Sequence, residues 1–325
     1  MSGPEARRDW SAWLNRFGPF AGLVAVVLFF ALVAPESFRS GRNLETIARQ
    51  SVMVGIAALG ATVVIIAGGI DLSIGSSVAL VTVVIGVLIK DAHWPPLAAA
   101  SAGVLTGVAC GALNGLLITR LRVVPFIVTL GTLLVFRGAA LGIAREEKVT
   151  PPATWLNELV RQPGEHYRWM ILAPGVWLML GLAVAVAGLL RYTRVGRHIF
   201  AVGSNEQAAR LCGVPVDRVK LIVYSLGGLF AGLSGLAYFS YLTGGDPSEA
   251  QGHELRVIAA VVIGGGSLSG GEGSVLGALV GTLIMQTIDS GCSQMDLRNW
   301  VQMIVTGVII VVAVALDRLR HRRAG

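Results

Sequence analysis

Residues 51–90 read S-V-M-V-G-I-A-A-L-G-A-T-V-V-I-I-A-G-G-I-D-L-S-I-G-S-S-V-A-L-V-T-V-V-I-G-V-L-I-K. The first half, 51–70, carries no charge and is long enough to cross bilayer hydrocarbon as a helix, which takes about 20 residues. The second half is again apolar as far as Lys90. Between them stands G-G-I-D-L-S-I-G-S, and Asp71 is the only charge between Gln50 and Lys90. A membrane helix, a glycine-rich break with one acid, and a second apolar segment are written into one stretch.

The rest of the chain repeats the theme. Of 325 residues, 54% are hydrophobic and 14% charged, with mean hydropathy +0.70; ordinary soluble domains are about 25% charged. Charge-free runs recur at 97–119 and 221–243. In order, the apolar blocks predict about ten crossings: 18–34, 50–69, 73–89, 96–119, 124–143, 170–190, 221–242, 255–267, 273–289 and 299–316. The segment 255–267 is short for a crossing, and a re-entrant piece enclosed by protein is the alternative. The expected architecture is an all-α polytopic transmembrane helical bundle, a single domain over 1–325, with tails at 1–17 and 317–325 and a polar loop at 191–220. The first block follows Arg7, Arg8 and Arg16; its length and the spans after it favour a retained anchor over a cleaved signal.

The net charge of +7 comes from residues that flank apolar blocks, the pattern of a membrane protein rather than of a nucleic-acid binder. Alternation from a cytoplasmic N-terminus places Arg120, Arg122, the loop 191–220 and the basic tail on the cytoplasmic side, in agreement with the positive-inside rule. Cys110, Cys212 and Cys292 form no C-x-x-C pair, and neither H-E-x-x-H nor G-x-S-x-G occurs. No disulfide framework, zinc site or hydrolytic triad is expected. The lysines are Lys90, Lys148 and Lys220, none preceded by glycine, so the chain has no phosphate-binding Gly-Lys-Ser/Thr loop.

Within 96–119, Gly103, Gly107, Gly111 and Gly115 recur every fourth residue, leaving one helix face smooth enough for a second helix to approach closely. Gly228/Gly232 and Gly277/Gly281 repeat that spacing. A charge such as Asp71 near the bilayer centre costs about 2.5–3.5 kcal/mol and therefore calls for donors. Two readings stand side by side: Asp71 or Ser73 as N-cap of the following helix, and a broken helix lining the solute path or a gate. A second break, G-G-G-S-L-S-G-G-E-G-S at 264–274, resembles the first and suggests a duplicated half. Gly68, Gly69, Asp71, Ser73, Gly265, Gly266 and Ser267 are the candidate path or gate residues.

The loop after Leu190 has local structure of its own. Ser204 with Gln207 reads as a capping box, Asn205–Cys212 as a short helix, Gly213 as its stop and Pro215 as the opening of the next helix. So short a helix is marginal alone, which leaves two readings, a docking element or a connector tucked under the bundle.

Taken in order, G-G-I-D-L-S-I-G-S at 68–76, P-F-I-V-T-L-G-T at 125–132, R-G at 137–138, G-R-H-I-F-A-V-G-S-N-E-Q-A-A-R-L-C-G-V at 196–214 and I-A-A-V-V-I-G-G-G-S-L-S-G-G-E-G-S at 258–274 resemble the inner-membrane permease subunits of ribose, xylose, arabinose and autoinducer-2 type ABC importers. The resemblance continues through Q-M-I-V-T-G-V-I-I-V-V-A-V at 302–314. It implies a permease for a sugar-like solute in the bacterial inner membrane, paired with a second permease subunit. Two ABC ATPase domains would bind ATP and Mg, and a periplasmic solute-binding protein would deliver the solute. It also implies that Ser204, Asn205, Glu206, Gln207, Ala208, Ala209, Arg210, Leu211 and Gly213 form the cytoplasmic coupling helix that docks the ATPase. Glu206 and Arg210, four apart, share one face. Arg256 stands where an acid is expected in relatives, and Arg137 is expected to snorkel or pair internally. The rivals are a secondary transporter coupled through Asp71 and a membrane-bound enzyme using His166 and Tyr167.

Overall fold

The computed structural model describes residues 4–162 and 170–322; His166, Tyr167 and the outermost residues of both tails lie outside them. The described residues form twelve α-helices: α1 (Pro4–Val33), α2 (Gly41–Ile66), α3 (Ile74–Lys90), α4 (Pro96–Leu121), α5 (Pro125–Ala144), α6 (Pro174–Tyr192), α7 (Arg194–Ser204), α8 (Glu206–Leu211), α9 (Val216–Leu242), α10 (His253–Ile263), α11 (Val275–Gln294) and α12 (Asn299–Arg322). Among these residues there is no strand, and one antiparallel pairing joins Val149 to Gly245.

Helix starts follow local chemistry. Pro96, Pro125 and Pro174 sit in the first turn of α4, α5 and α6, where a missing N–H costs nothing. The Ser40 and Ser274 hydroxyls accept from Asn43 N and Gly277 N at the starts of α2 and α11.

Six helices, α2, α4, α5, α6, α9 and α11, are long and apolar enough to cross a membrane, and they match six of the ten expected crossings. The blocks at 18–34, 73–89 and 299–316 correspond to shorter apolar pieces, Gly18–Val33, Ile74–Lys90 and Trp300–Ile309. The block at 255–267 is not a crossing helix. Its helix, α10, has 11 residues, which at 1.5 Å per residue is about 16 Å, roughly half the hydrocarbon thickness.

The bundle is organised around α2, whose most apolar stretch is 89% buried against 22% for that of α5. Every residue from Ser51 to Ile66 is buried, so this helix is apolar all round because protein surrounds it. Packing of α4 on α9 uses the glycines singled out above. A Cβ on Gly107 would come within 2.6 Å of Gly228 O and Gly232 Cα, and one on Gly111 would overlap Tyr224 O. Gly277 and Gly281 meet Gly264, which caps α10, and Ala260 within it in the same way. These are backbone-to-backbone contacts that no side chain can relax by rotating.

A direct test follows. Gly111→Val should destabilise the bundle by about 3 kcal/mol through overpacking. Gly131→Ala on α5, where nothing lies within 4 Å of the added Cβ, should be neutral or stabilising by up to about 1 kcal/mol. Thermal unfolding of the two variants in detergent measures both.

Candidate functional site: a junction of two helix breaks

At the end of α2, Gly68 N donates to Ile65 O at 2.9 Å and Gly69 N to Val64 O at 2.9 Å, with Gly68 at φ +78°. At the end of α10, Gly265 N donates to Val262 O at 2.9 Å and Gly266 N to Val261 O at 2.9 Å, with Gly265 at φ +90°. Both are Schellman stops with glycine at the left-handed position, where a side chain would be strained. The resemblance of the two breaks in sequence is therefore a shared backbone geometry. After the stops the chains diverge, through 67–73 to α3 and through 264–274 to α11.

The two breaks meet in space, and α7 meets them both. Gly271 N donates to Ile66 O at 2.8 Å. A Cβ on Gly270 would lie 2.7 Å from Gly203 O and 2.8 Å from Gly68 Cα; one on Gly203 would overlap Ile66 O. Gly271 is packed just as tightly on Ser204, the last residue of α7. Ser267 is buried, its N–H donating to Glu272 O at 3.2 Å and its hydroxyl accepting from Ser269 N at 3.2 Å. Beside the junction, Gly68, Gly69, Gly203, Glu206, Lys220 and Tyr224 help line a pocket of about 220 Å³.

Asp71 finds its donors locally. Its Oδ1 accepts from Ser73 N at 2.8 Å and Ser73 Oγ at 2.6 Å. Asn114 Nδ2 donates to Ser73 Oγ at 2.8 Å, and Thr132 Oγ1 donates to Asn114 Oδ1 at 2.7 Å. All four side chains are buried. Asn114 and Thr132 each lie about 10 Å along α4 and α5 from the ends nearest α8, at 1.5 Å per residue, so the network sits inside the bundle. Ser73 occupies the N-cap position of α3 without a side-chain cap bond. The expected helix cap is thus replaced by a turn closed by Asp71 and fastened to two neighbouring helices.

The loop helix α8 also departs from expectation in one detail. Ser204 ends α7, and the cap is Asn205, whose Oδ1 accepts from Ala208 N at 2.9 Å. The Ser204/Gln207 capping box does not form, because α7 runs through Ser204 and the chain turns one residue later. Gly213 stops the helix at φ +81°, as its position in the sequence predicts. From Ser204 to Gly213 only Ala209 is buried. Glu206 binds Lys220 Nζ at 2.7 Å and Arg210 at 3.5 Å, and Arg210 reaches Asp217 at 3.1 Å, which ties α8 to the start of α9.

At the opposite end of the bundle, Arg137 Nη1 donates to Pro247 O at 2.8 Å and Glu249 O at 2.7 Å, an internal role. Arg256 pairs with Asp289 at 3.3 Å. Among the described residues no cluster of His, Cys, Asp and Glu has the make-up of a metal site. Sequence reasoning missed Gly203, Asn114, Thr132 and Lys220. Asn114 had a signal, being the only amide in 96–119.

Helices that stop inside the bundle on glycine turns, beside a buried acid, define a polytopic membrane protein of transporter type. The chain belongs to the family described as branched-chain amino acid transport system / permease component, whose model matches residues 43–314. It is 38% identical over 314 residues to the ribose import permease protein RbsC of Bacillus subtilis, covering 97% of this chain and 96% of that protein. It is 36% identical to RbsC of Escherichia coli K12 over 95% of this chain and 96% of that one. To the xylose transport system permease protein XylH of Escherichia coli K12 it is 34% identical, over 96% and 93%. No solved structure matches.

Asp71→Leu removes an acceptor and leaves the Ser73 donors unpaired in the interior, at a cost of about 2–3 kcal/mol. Asp71→Asn keeps an oxygen in place and should lose less than half of that. Melting temperatures of the two variants in one detergent should show this order, and equal values would refute the network's structural role.

Proposed function

We propose that this chain is the membrane-spanning subunit of an ATP-driven importer for a sugar-like solute. The observation that carries the reading is the junction: the exposed helix α8 follows α7, and the end of α7 packs against both helix breaks through Gly203 and Ser204. The names of the relatives, ribose import and xylose transport permeases, supply the solute class.

In this reading the N-terminal tail, the loop 191–220 and the basic tail face the cytoplasm, in a bacterial inner membrane. A second permease subunit completes the pathway, two ABC ATPase domains dock below, and a periplasmic binding protein delivers solute above. The chain itself binds no cofactor; ATP and Mg belong to the ATPase, which supplies the free energy. Residues Ser204–Gly213 act as the coupling helix, with Leu211, 90% exposed, at the surface offered to the partner. Because Ala209 is the only buried member, α8 contributes little to the core and is free to serve contact.

Force on α8 reaches α7 through Asn205 and then Ile66 O and Gly270 through glycine-to-backbone contacts. Such contacts have no side-chain slack, so the stops at Gly68–Gly69 and Gly265–Gly266 move with α7. Residues Gly68, Gly69, Asp71, Ser73, Gly265, Gly266 and Ser267 then belong to the gate, Asp71 and Ser73 by holding its backbone. The rival in which Asp71 couples transport to an ion gradient lacks such support, since Asp71 is 5% exposed and already bonded to Ser73.

Affinity purification from the native membrane should recover an ATPase chain, and Glu206→Lys with Arg210→Glu should lose it while the permease stays folded. Uptake in reconstituted vesicles should be sensitive to vanadate. An intact protein that never brings down an ATPase, with uptake driven by an ion gradient, would overturn the proposal.

A further inference from the structure

At the end of the bundle opposite α8, a cleft of about 300 Å³ opens between α2, α9, α10, α11 and α12. Its volume is at the lower end of the range for ligand pockets, about 300–1,000 Å³. The lining is unusual for a helical membrane protein, because amides, hydroxyls and an ion pair outnumber aliphatic side chains.

The decisive residue is Gln286 of α11. The residue is 5% exposed, yet its amide has no hydrogen-bond partner among the described residues. The amide is open to the cleft that it lines. A primary amide that faces a cleft has its N–H donors and its carbonyl acceptor free for a ligand that both donates and accepts. Gln50 of α2 lines the same cleft and is likewise without a partner among the described residues. Gln302 uses its Nε2 on Leu297 O at 2.8 Å.

The charges in the cleft disfavour an anion. Arg256 and Asp289 bind each other at 3.3 Å, and Glu249 lines the cleft as one further carboxylate. Tyr238 and Tyr241 add aromatic rings to the lining. Amides that donate and accept, carboxylates that accept from hydroxyl groups and aromatic rings together suit a polyhydroxylated molecule and disfavour an anion or an apolar ligand.

We infer that this cleft, built on the unpartnered amides of Gln286 and Gln50, is a low-affinity site for a neutral monosaccharide at the outer mouth of the permease. The inference rests on the importer reading for which end is outer and for the choice of sugars. Its position adds a consequence. Tyr238 and Arg256 bring the cleft onto α9 and α10 respectively, and α10 ends at the Gly264–Gly266 stop of the inner junction. A solute in the cleft therefore touches the same half-helix that abuts the break at the other end.

The test uses the full chain in lipid nanodiscs with neither ATPase nor binding protein present, and reads saturation-transfer NMR to D-ribose and D-xylose. Wild type should transfer saturation to the ring protons of at least one sugar. Gln286→Leu should weaken that sugar's binding by about tenfold, the loss of one well-placed hydrogen bond. Gln50→Leu, at a half-buried position, should act in the same direction and serves if the first variant fails to fold. Gly131→Ala, on the far face of α5, should match wild type. Absence of transfer from wild type to both sugars, or equal binding by wild type and both glutamine variants, would overturn the inference. If the protein recovers an ATPase from membranes but transfers no saturation, the cleft proposal alone falls. If it binds sugar through Gln286 but recovers no ATPase, the ATP-driven reading falls and the cleft stands.

Discussion

A helix that stops inside a membrane bundle strands its last carbonyl groups where no water reaches them, and each must find a donor within the protein. This chain meets the requirement twice with the same device, a glycine in the left-handed region that folds two N–H groups back onto the preceding turn. The carbonyl of Ile66 receives its donor from Gly271, across from the other break. The satisfaction of one stop is thus supplied by the loop of the second. Other features of this end of the bundle, including the tight seat of Gly203 and the placement of α8, depend on this mutual closure.

Close approach of backbones is the common means. In hydrocarbon, apolar side chains gain little from burial against one another, and helices hold together by van der Waals contact and hydrogen bonds. Glycines on α4 and α9 bring backbones to contact over several turns, and Gly264, Gly277 and Gly281 do the same for α10 and α11. Contacts of this kind are stiff. They transmit displacement with little loss.

Polar groups follow a division of labour. The Asp71–Ser73–Asn114–Thr132 chain is closed upon itself and fastens the first break to α4 and α5. The amides of Gln286 and Gln50 are left open at the other end. A satisfied network gives rigidity, whereas unsatisfied groups beside a cavity favour a ligand. One bundle carries both, separated by the length of α10 and its loop.

The sequence by itself determined the class: runs of apolar residues the length of a bilayer, glycine spacing, and the two glycine-rich breaks are local patterns, and local patterns follow from helical periodicity and backbone freedom. The stop at Gly213 and the proline starts of α4, α5 and α6 were legible for the same reason. The cap at Asn205 rather than Ser204 was not, because one more residue in α7 is decided by packing against the breaks. Nor was it legible that 255–267 holds a half-helix, since apolar composition is the same whether a segment spans or is enclosed by neighbours. The meeting of residues 66–71, 203–204 and 270–271, and of Gln50 with Gln286, was decided by the tertiary structure alone. These residues are far apart along the chain, and only the packing of α2 at the centre of the bundle brings them within a hydrogen bond or a cavity's width.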